Sequence, residues 1–151
     1  ILIGGSMESL HYLLMKAHAM MQRCIFAEAQ KIGLSSGQPK VLDYLYSHEG
    51  SDQKTIAAYC EIEPATLASI LLRMEQKQLI ERRQEHGNRR SLFVYLTQTG
   101  RMAADKMHTI FEAYDRQASE TMDSGDLETV KGLLTEVCNN LESVVGKNGT
   151  K

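Results

Sequence analysis

Two pairs of arginines, Arg82–Arg83 and Arg89–Arg90, lie within nine residues of each other. The surrounding stretch, residues 72–101, contains seven basic and three acidic residues, whereas the rest of the chain contains ten basic and sixteen acidic residues. Guanidinium groups bind phosphate oxygens well, and one basic strip on an acidic chain is typical of a protein that meets a polyanion along one edge. A solvated charged face is the alternative interpretation.

Other residue types that perform chemistry are present but lack the required spacing. His11, His18 and Cys24 are spread along one predicted helix and His108 lies on another, without a CxxC, HxxxH or HExxH pattern. The sequence also lacks a glycine-rich phosphate loop, a nucleophile elbow and a paired-carboxylate signature. We therefore expect no catalytic residues, no metal site and no cofactor.

Length and composition predict one domain, or one domain with a dimerisation extension. The chain has 151 residues, of which 42% are hydrophobic and 24% are charged, as in ordinary globular proteins. No apolar run approaches the length of a membrane span. We interpret residues 1–6 as an expression scar or disordered tail, with Met7 as the natural start. Three widely spaced cysteines do not suggest disulfides, so a cytoplasmic location is expected.

Hydrophobic spacing predicts a succession of helices in the first half of the chain. Residues 7–32 form the first, and Gly33 ends it. A second places Val41, Leu42 and Leu45 on one side and is closed by Gly50. Two further helices follow, one capped by Asp52 and one starting at Pro64. The predicted inward-facing residues of these two helices are Ile56, Ala57, Cys60, Leu67, Ile70, Leu71 and Met74.

The spacing then changes from that of a helix to that of a strand. Residues 79–84 and the segment SLFVYLT are predicted strands, joined through Gly87 and Asn88 as a hairpin. Thr97 caps a long helix through Met122, and Asp123 or Ser124 caps a last one. That last helix is predicted to bury Leu127, Val130, Leu133, Leu134, Val137, Leu141 and Val144. The expected fold is mainly α, a winged helix-turn-helix with a two-stranded wing and terminal helices.

Residues 53–100 resemble the MarR (multiple-antibiotic-resistance regulator) family of transcriptional regulators. The family's wing pattern is Asp-x-Arg, a small residue, several β-formers and Leu-Thr-x-x-Gly, which here reads NRRSLFVYLTQTG, residues 88–100. The resemblance implies dimerisation helices at residues 7–34 and 100–147 around a winged DNA-binding domain at residues 35–99. Two positions depart from the pattern. Asn88 replaces the usual aspartate, and Glu61 stands where glycine often makes the turn between the two helices.

The resemblance also implies function. We expect a DNA-binding regulator, a repressor in its usual form, that binds a pseudo-palindromic operator as a homodimer and responds to a small aromatic or anionic ligand. The second helix would enter the major groove and Arg90 the minor groove, while Arg82, Arg83 and Arg89 would contact phosphates. The expected DNA-binding residues are Pro64, Ala65, Thr66, Ser69, Arg73, Arg82, Arg83, Arg89 and Arg90.

The sequence gives weaker evidence about how the protein is regulated. Candidates for a ligand site near the first, second and long helices are His11, Tyr12, Met15, Tyr44 and Met102, although such side chains at helical spacing more often pack in the core. The peroxide-sensing branch of the family carries its cysteine near the position of His11, so that role does not transfer to Cys24. Two other functions stay open, a winged-helix protein-interaction module and a thiol redox switch.

Overall fold

The computed structural model describes residues 2–3, 6–85, 87 and 92–148, and within them six helices and five short strands. Residues 1–114 and 115–151 form two compact units, which are described separately below. The elements in chain order are β1 (Leu2–Ile3), β2 (Ser6–Met7), α1 (Leu10–Lys31), α2 (Gln38–Ser47), β3 (Ser51–Asp52), α3 (Gln53–Cys60), α4 (Pro64–Gln76), β4 (Ile80–Gln84), β5 (Leu92–Leu96), α5 (Gln98–Ala118) and α6 (Ser124–Asn148).

The amino-terminal residues are more regular than a disordered tail. Leu2–Ile3 and Ser6–Met7 pair as a short antiparallel ladder. Helix α1 then starts three residues later than Met7, because the Ser9 hydroxyl accepts a hydrogen bond from the Tyr12 amide and caps the helix. Gly33, with φ 79°, follows its end as predicted.

The core of the first unit is built from the predicted apolar stripes of α2, α3 and α4. Each helix buries the side facing the other two and exposes the opposite side. Asp52 caps α3 as expected, since its Oδ1 accepts the Thr55 amide at 2.8 Å. The side chains predicted to face inward are all buried: Val41, Leu42, Leu45, Ile56, Ala57, Cys60, Leu67, Ile70, Leu71 and Met74.

The hairpin belongs to a three-stranded antiparallel sheet in which β5 is the central strand. Strand β4 pairs with β5 from Ile80↔Leu96 to Gln84↔Leu92, and β3 pairs on the other side through Ser51↔Val94 and Asp52↔Phe93. The sequence predicted the β4–β5 hairpin but not the third strand of the sheet, β3. A strand of two residues carries no alternating pattern, so its sequence gives no strand signal.

The Leu-Thr-x-x-Gly segment joins the sheet to α5 through close backbone contacts. The Thr97 amide donates to the Leu79 carbonyl at 3.1 Å, and the Thr97 hydroxyl accepts the Gly100 amide at 3.0 Å. A Cβ on Gly100 would lie only 1.8 Å from the Leu79 carbonyl oxygen. Glycine is therefore required here so that the first turn of α5 can pack against the residue that precedes β4.

The long helices expose apolar side chains, which for α6 differs from the prediction that its stripe is buried. Helix α1 buries Ile25 and Ala29, while Leu10 is 61% exposed and Met20 46% exposed. In the second unit, Asp123 caps α6 by accepting the Asp126 amide at 2.7 Å. Of its predicted stripe, Leu127 and Val137 are half-buried, and five residues are exposed: Val130, Leu133, Leu134, Leu141 and Val144.

Among the described residues, no single helix is long and apolar enough to cross a membrane. The bent pair α3 and α4 meets the length and composition criteria when counted together. Its apolar residues are those of the core described above, which accounts for that composition.

Candidate nucleic-acid interface

Helices α3 and α4 form a helix-turn-helix, bent by 110° at a three-residue turn. That bend lies within the range of DNA-binding helix-turn-helix units. Glu61 adopts the left-handed conformation at φ 53° and ψ 49°, and the Ile62 amide bonds the Ala57 carbonyl at 3.0 Å. Glu61, although it is not glycine, therefore still provides the left-handed residue of the turn. Pro64 then occupies the first turn of α4, where no amide donor is needed.

The outer face of α4 consists of small and polar side chains. Pro64, Ala65, Thr66, Ser69 and Arg73 are all exposed, as the position of the buried stripe predicts. The Ser69 hydroxyl donates to the Ala65 carbonyl at 3.4 Å, so it remains close to the helix surface. Sequence reasoning missed Leu72, which lies on this same face and is 50% exposed. Its apolar type suggested no role, although the helical spacing already placed it opposite the buried stripe.

Arg82 points back toward α4 in this structure. Its Nε lies 3.0 Å from the Glu75 Oε2, and only 17% of its side chain is exposed. The approach is not aligned for an N–H hydrogen bond, so the contact is an ion pair without directional bonding. Arg82 therefore braces β4 against the carboxyl end of α4, and it must leave Glu75 if it is to contact a phosphate.

Arg83 is held on the sheet surface by two neighbours. Its guanidinium forms an ion pair with Glu81, which raises the pKa of Arg83, and it stacks 4.1 Å from the centre of the Tyr95 ring. The Tyr95 hydroxyl donates to Glu85, and this hydrogen bond raises the pKa of Tyr95. This ion pair agrees with the solvated charged face that was the alternative to a polyanion-binding edge. About half of the Arg83 side chain, 52%, stays exposed.

The remaining wing arginines, Arg89 and Arg90, lie outside the described residues, as does Asn88. The strands on either side fix where that segment begins and ends, because Gln84 and Leu92 form the last pair of the ladder. The connection therefore leaves the sheet at the end away from Thr97. The expected groove contacts of Arg89 and Arg90 stay predictions.

The basic strip separates into bound and unbound cations. Lys77 donates to the Gly33 carbonyl at 2.9 Å, and Arg101 binds Glu49 at 2.6 Å and the Tyr46 carbonyl at 3.0 Å. With Arg82 and Arg83 also paired, Arg73 is the one cation without a partner among the five cations of the strip that the structure describes. The sequence could not show the partners of Lys77 and Arg101, because these partners lie more than forty residues earlier in the chain.

The five candidate ligand residues do not come together. Tyr44 is buried, where its hydroxyl bonds Ser51 at 3.0 Å and its ring stacks on His48. Met102 is exposed on α5, while His11, Tyr12 and Met15 lie in the first turns of α1.

A groove of about 370 Å³ does lie between α1, α2, the start of α4 and α5. That volume suits a small organic ligand. Its lining mixes aromatic, apolar, cationic and acidic side chains, and includes His18, Phe26, Lys40, Glu61, Glu63, Thr66 and Phe111. The sequence placed a ligand site at three of these helices but selected other residues, because the spacing along one helix does not say which face meets its neighbours.

The cysteines differ in environment. Cys60 is buried, its thiol donates to the Lys40 carbonyl at 3.5 Å, and burial raises its pKa. This confirms its predicted core position and makes its thiolate scarce. Cys24 and Cys138 are exposed. Within the described residues, no group of three or more His, Cys, Asp or Glu side chains is placed to hold a metal ion.

Comparison with known proteins agrees with this geometry. The sequence model of the MarR family matches residues 34–92. The HTH-type transcriptional regulator BilQ of Clostridium symbiosum is 24% identical over 111 residues, which cover 74% of this chain and 77% of BilQ.

Solved structures extend the similarity to the whole fold. The S. aureus MepR–DNA complex matches with a TM-score of 0.79 and 25% identity, covering 89% of this chain and 99% of MepR. The transcriptional repressor CouR, solved on a 23-mer DNA duplex, matches with a TM-score of 0.78 and 21% identity, covering 91% and 98% of the two chains.

Proposed function

We propose that this chain is a member of the MarR family of winged helix-turn-helix transcriptional regulators. In this role it is a repressor that binds a pseudo-palindromic operator as a homodimer and releases it when a small ligand binds. The observation that carries the proposal is the exposed outer face of α4, presented by the 110° bend and backed by a fully buried stripe. MepR, at 25% identity, was solved with DNA, which supports DNA binding by this chain.

Major-groove contact falls to the outer face of α4. Small side chains at Ala65 and Ser69 let the helix sit deep in the groove, and Thr66 can bond to phosphates or base edges. Arg73, the cation without a described partner, reaches a guanine edge or a phosphate at the cost of no existing ion pair. Pro64 begins the helix and brings its first amides close to the DNA backbone.

The wing supplies the second contact. Arg90 enters the minor groove, where a narrow A·T-rich segment has an enhanced negative potential, and Arg89 contacts a neighbouring phosphate. Arg82 and Arg83 join them after exchanging their carboxylate partners for phosphates. Because Glu75 and Glu81 compete for these two guanidinium groups, Arg82 and Arg83 contribute less to affinity than free arginines would.

Dimerisation follows from the apolar side chains on the long helices. Leu10 and Met20 on α1, and separately Leu133, Leu134 and Leu141 on α6, are 42–61% exposed in one chain. Apolar side chains repeated along a whole helix face mark an interaction surface rather than isolated exposed residues. A two-fold symmetric pair would cover them and place two α4 helices about 34–36 Å apart, one turn of B-form DNA.

Ligand control is assigned to the groove between α1, α2, α4 and α5. A small aromatic ligand suits its lining, because Phe26 and Phe111 can contact a ring. Lys40 is the side chain that can bind a carboxylate of the ligand, in a groove that Glu61 and Glu63 also line. Thr66 belongs both to this groove and to the DNA-facing side of α4, so an occupied groove and a bound operator compete for the position of one helix turn. Titration of the protein–operator complex with benzoate, with Lys40→Ala as the insensitive variant, tests this assignment.

DNA binding itself is tested with Arg73→Ala and a duplex isolated from a random library by selection with the full chain. Loss of a base or phosphate contact is expected to weaken binding by at least fivefold, which corresponds to about 1 kcal/mol. Lys106→Ala removes the same charge from an exposed position on α5 and is expected to leave affinity unchanged. Equal affinity of the wild type for the selected duplex and for random duplex, at moderate salt, would contradict the proposal.

A further inference from the structure

Leu72 occupies the middle of the DNA-facing side of α4. Successive residues of an α-helix are rotated by about 100° about its axis. Two side chains therefore point to opposite sides when their rotations differ by about 180°. The buried residues Leu67, Ile70, Leu71 and Met74 define one side of α4. Ala65, Ser69 and Leu72 point away from them, and Leu72 is the one large apolar side chain on that outer face, 50% exposed.

The spacing of this face is that of a helix lying along a groove. Ala65, Ala68, Ser69 and Leu72 follow the pattern i, i+3, i+4 and i+7, and all four are exposed. Homeodomains read the major groove with four residues at the same spacing. From Ala65 to Leu72 the helix rises about 10 Å, which is about three base pairs of B-form DNA.

This face has few groups that form hydrogen bonds with bases. The Ser69 hydroxyl already donates to the Ala65 carbonyl, and Glu75, at the edge of the face, is paired with Arg82. Ala65, Ala68 and Leu72 offer methyl groups only. The major groove displays one apolar group, the C5-methyl of thymine, and alanine or another apolar side chain contacts it in known complexes.

Resting on the proposed use of α4, we propose that Leu72, with Ala68 beside it, recognises thymine methyl groups, so that each operator half-site carries thymine under the middle of the helix. An exposed leucine alone has no meaning in a globular protein. Leu72, however, lies at the centre of a face whose other side chains are small, and this is the face that we propose contacts DNA. That position gives the exposed leucine a specific role. The contact excludes water from both apolar groups and therefore selects sequence without any charge.

The test uses uracil, which differs from thymine only by the missing methyl group and keeps every polar atom of the base edge. A duplex is first selected from a random library with the wild-type chain. Each thymine of a half-site is then replaced by uracil in turn. At one or two positions the wild type is expected to lose about fourfold in affinity, the ratio that corresponds to about 0.8 kcal/mol for burying one such carbon group.

Variants connect the loss to the side chain. Leu72→Ala is expected to bind the thymine duplex several-fold more weakly and to lose the uracil penalty at the position that Leu72 contacts, whereas a penalty at a second position contacted by Ala68 remains. Arg73→Ala is expected to weaken binding to both duplexes while keeping the fourfold preference, because its contacts are electrostatic. Leu72 is half exposed, so its replacement leaves the core intact, and an unchanged melting temperature verifies this.

The outcomes separate this inference from the function on which it rests. A selection that enriches no sequence removes the proposed function, and thymine recognition with it. A selected operator that binds equally with thymine and uracil at every position overturns thymine recognition alone. Persistence of the uracil penalty at every affected position in Leu72→Ala would also overturn the assignment, because Leu72 would then make none of the contacts.

Discussion

At the scale of single residues, the helix-turn-helix depends on Glu61 holding a conformation that favours glycine. A side chain with positive φ costs about 1 kcal/mol relative to glycine, because its Cβ crowds the following carbonyl. Glu61 nevertheless occupies this conformation between two helices whose packing is fixed by buried residues on both sides. The strain is thus accepted in the turn and offset by the core.

Glu61→Gly is expected to raise the free energy of unfolding by up to about 1 kcal/mol, because it relieves this strain. Urea denaturation followed by circular dichroism measures the change. Glu61→Ala is the control, since alanine keeps the Cβ and should give no such gain. A Glu61→Gly protein that unfolds at lower urea than both the wild type and Glu61→Ala would show that the turn is not strained.

Asp52 is a second residue whose contribution is specific. Its carboxylate accepts the backbone amide of Thr55, and this hydrogen bond lowers the pKa of Asp52 below its ordinary value of 3.8. A lowered pKa stabilises the fold above the unfolded-state value, and that stabilisation is lost as pH falls through the folded-state pKa. Asp52→Ala should cost about 1 kcal/mol at neutral pH, and Asp52→Asn much less, since Asn also caps helices.

The measurement is thermal unfolding of the three proteins between pH 2 and pH 7. The gap between wild type and Asp52→Ala is expected to shrink below pH 4, whereas the gap between Asp52→Asn and Asp52→Ala stays constant, because an amide does not titrate in this range. An Asp52→Ala gap that is independent of pH would contradict the role of the charged carboxylate.

At the scale of elements, the base of the wing is set by side chains on the sheet surface. Tyr95 on β5 donates a hydrogen bond to Glu85 and supports the guanidinium of Arg83 on β4. These contacts join the two strands near the point where the chain leaves the sheet toward Arg89 and Arg90. We therefore expect Tyr95 to position the wing without touching DNA.

Tyr95→Phe keeps the ring beneath Arg83 and removes only the hydrogen bond to Glu85. Amide hydrogen exchange is expected to become faster at the outer end of the β4–β5 ladder, near Gln84 and Leu92. The pairing of Ser51 with Val94 provides the internal control, since it lies on the other side of β5 and should exchange at an unchanged rate. Equal acceleration on both sides would indicate general destabilisation instead.

The sequence predicted the elements whose signals are local. The stripes of α2, α3 and α4, the caps at Asp52 and Pro64, and the hairpin all follow from spacing over a few residues. Strand β3 was not predicted, because two residues are too few to show an alternating pattern. The partners of Arg82 and Arg101, which are Glu75 and Glu49, escaped because they come from other elements. Leu72 was visible in the spacing but was not selected, since an apolar type suggested no contact with DNA.

At the scale of the whole molecule, the apolar stripe of α6 predicts association. Leu141→Glu places a charge within the stripe and is expected to shift the protein toward the monomer in sedimentation velocity, since a buried unpaired carboxylate is costly. Asn140→Glu introduces the same charge at the adjacent exposed position beside the stripe and should leave the dimer intact. A wild-type chain that sediments as a monomer at all concentrations would contradict this prediction.

The most direct test of the account is a hydroxyl-radical footprint of the full chain on the selected duplex. Two copies of α4 presented by a symmetric dimer should protect two segments on one face of the DNA, centred about 10–10.5 base pairs apart. A five-base-pair insertion between them turns one half-site to the opposite face and should abolish the paired protection. Protection of a single half-site at saturating protein, or protection spread evenly along the duplex, would contradict the account.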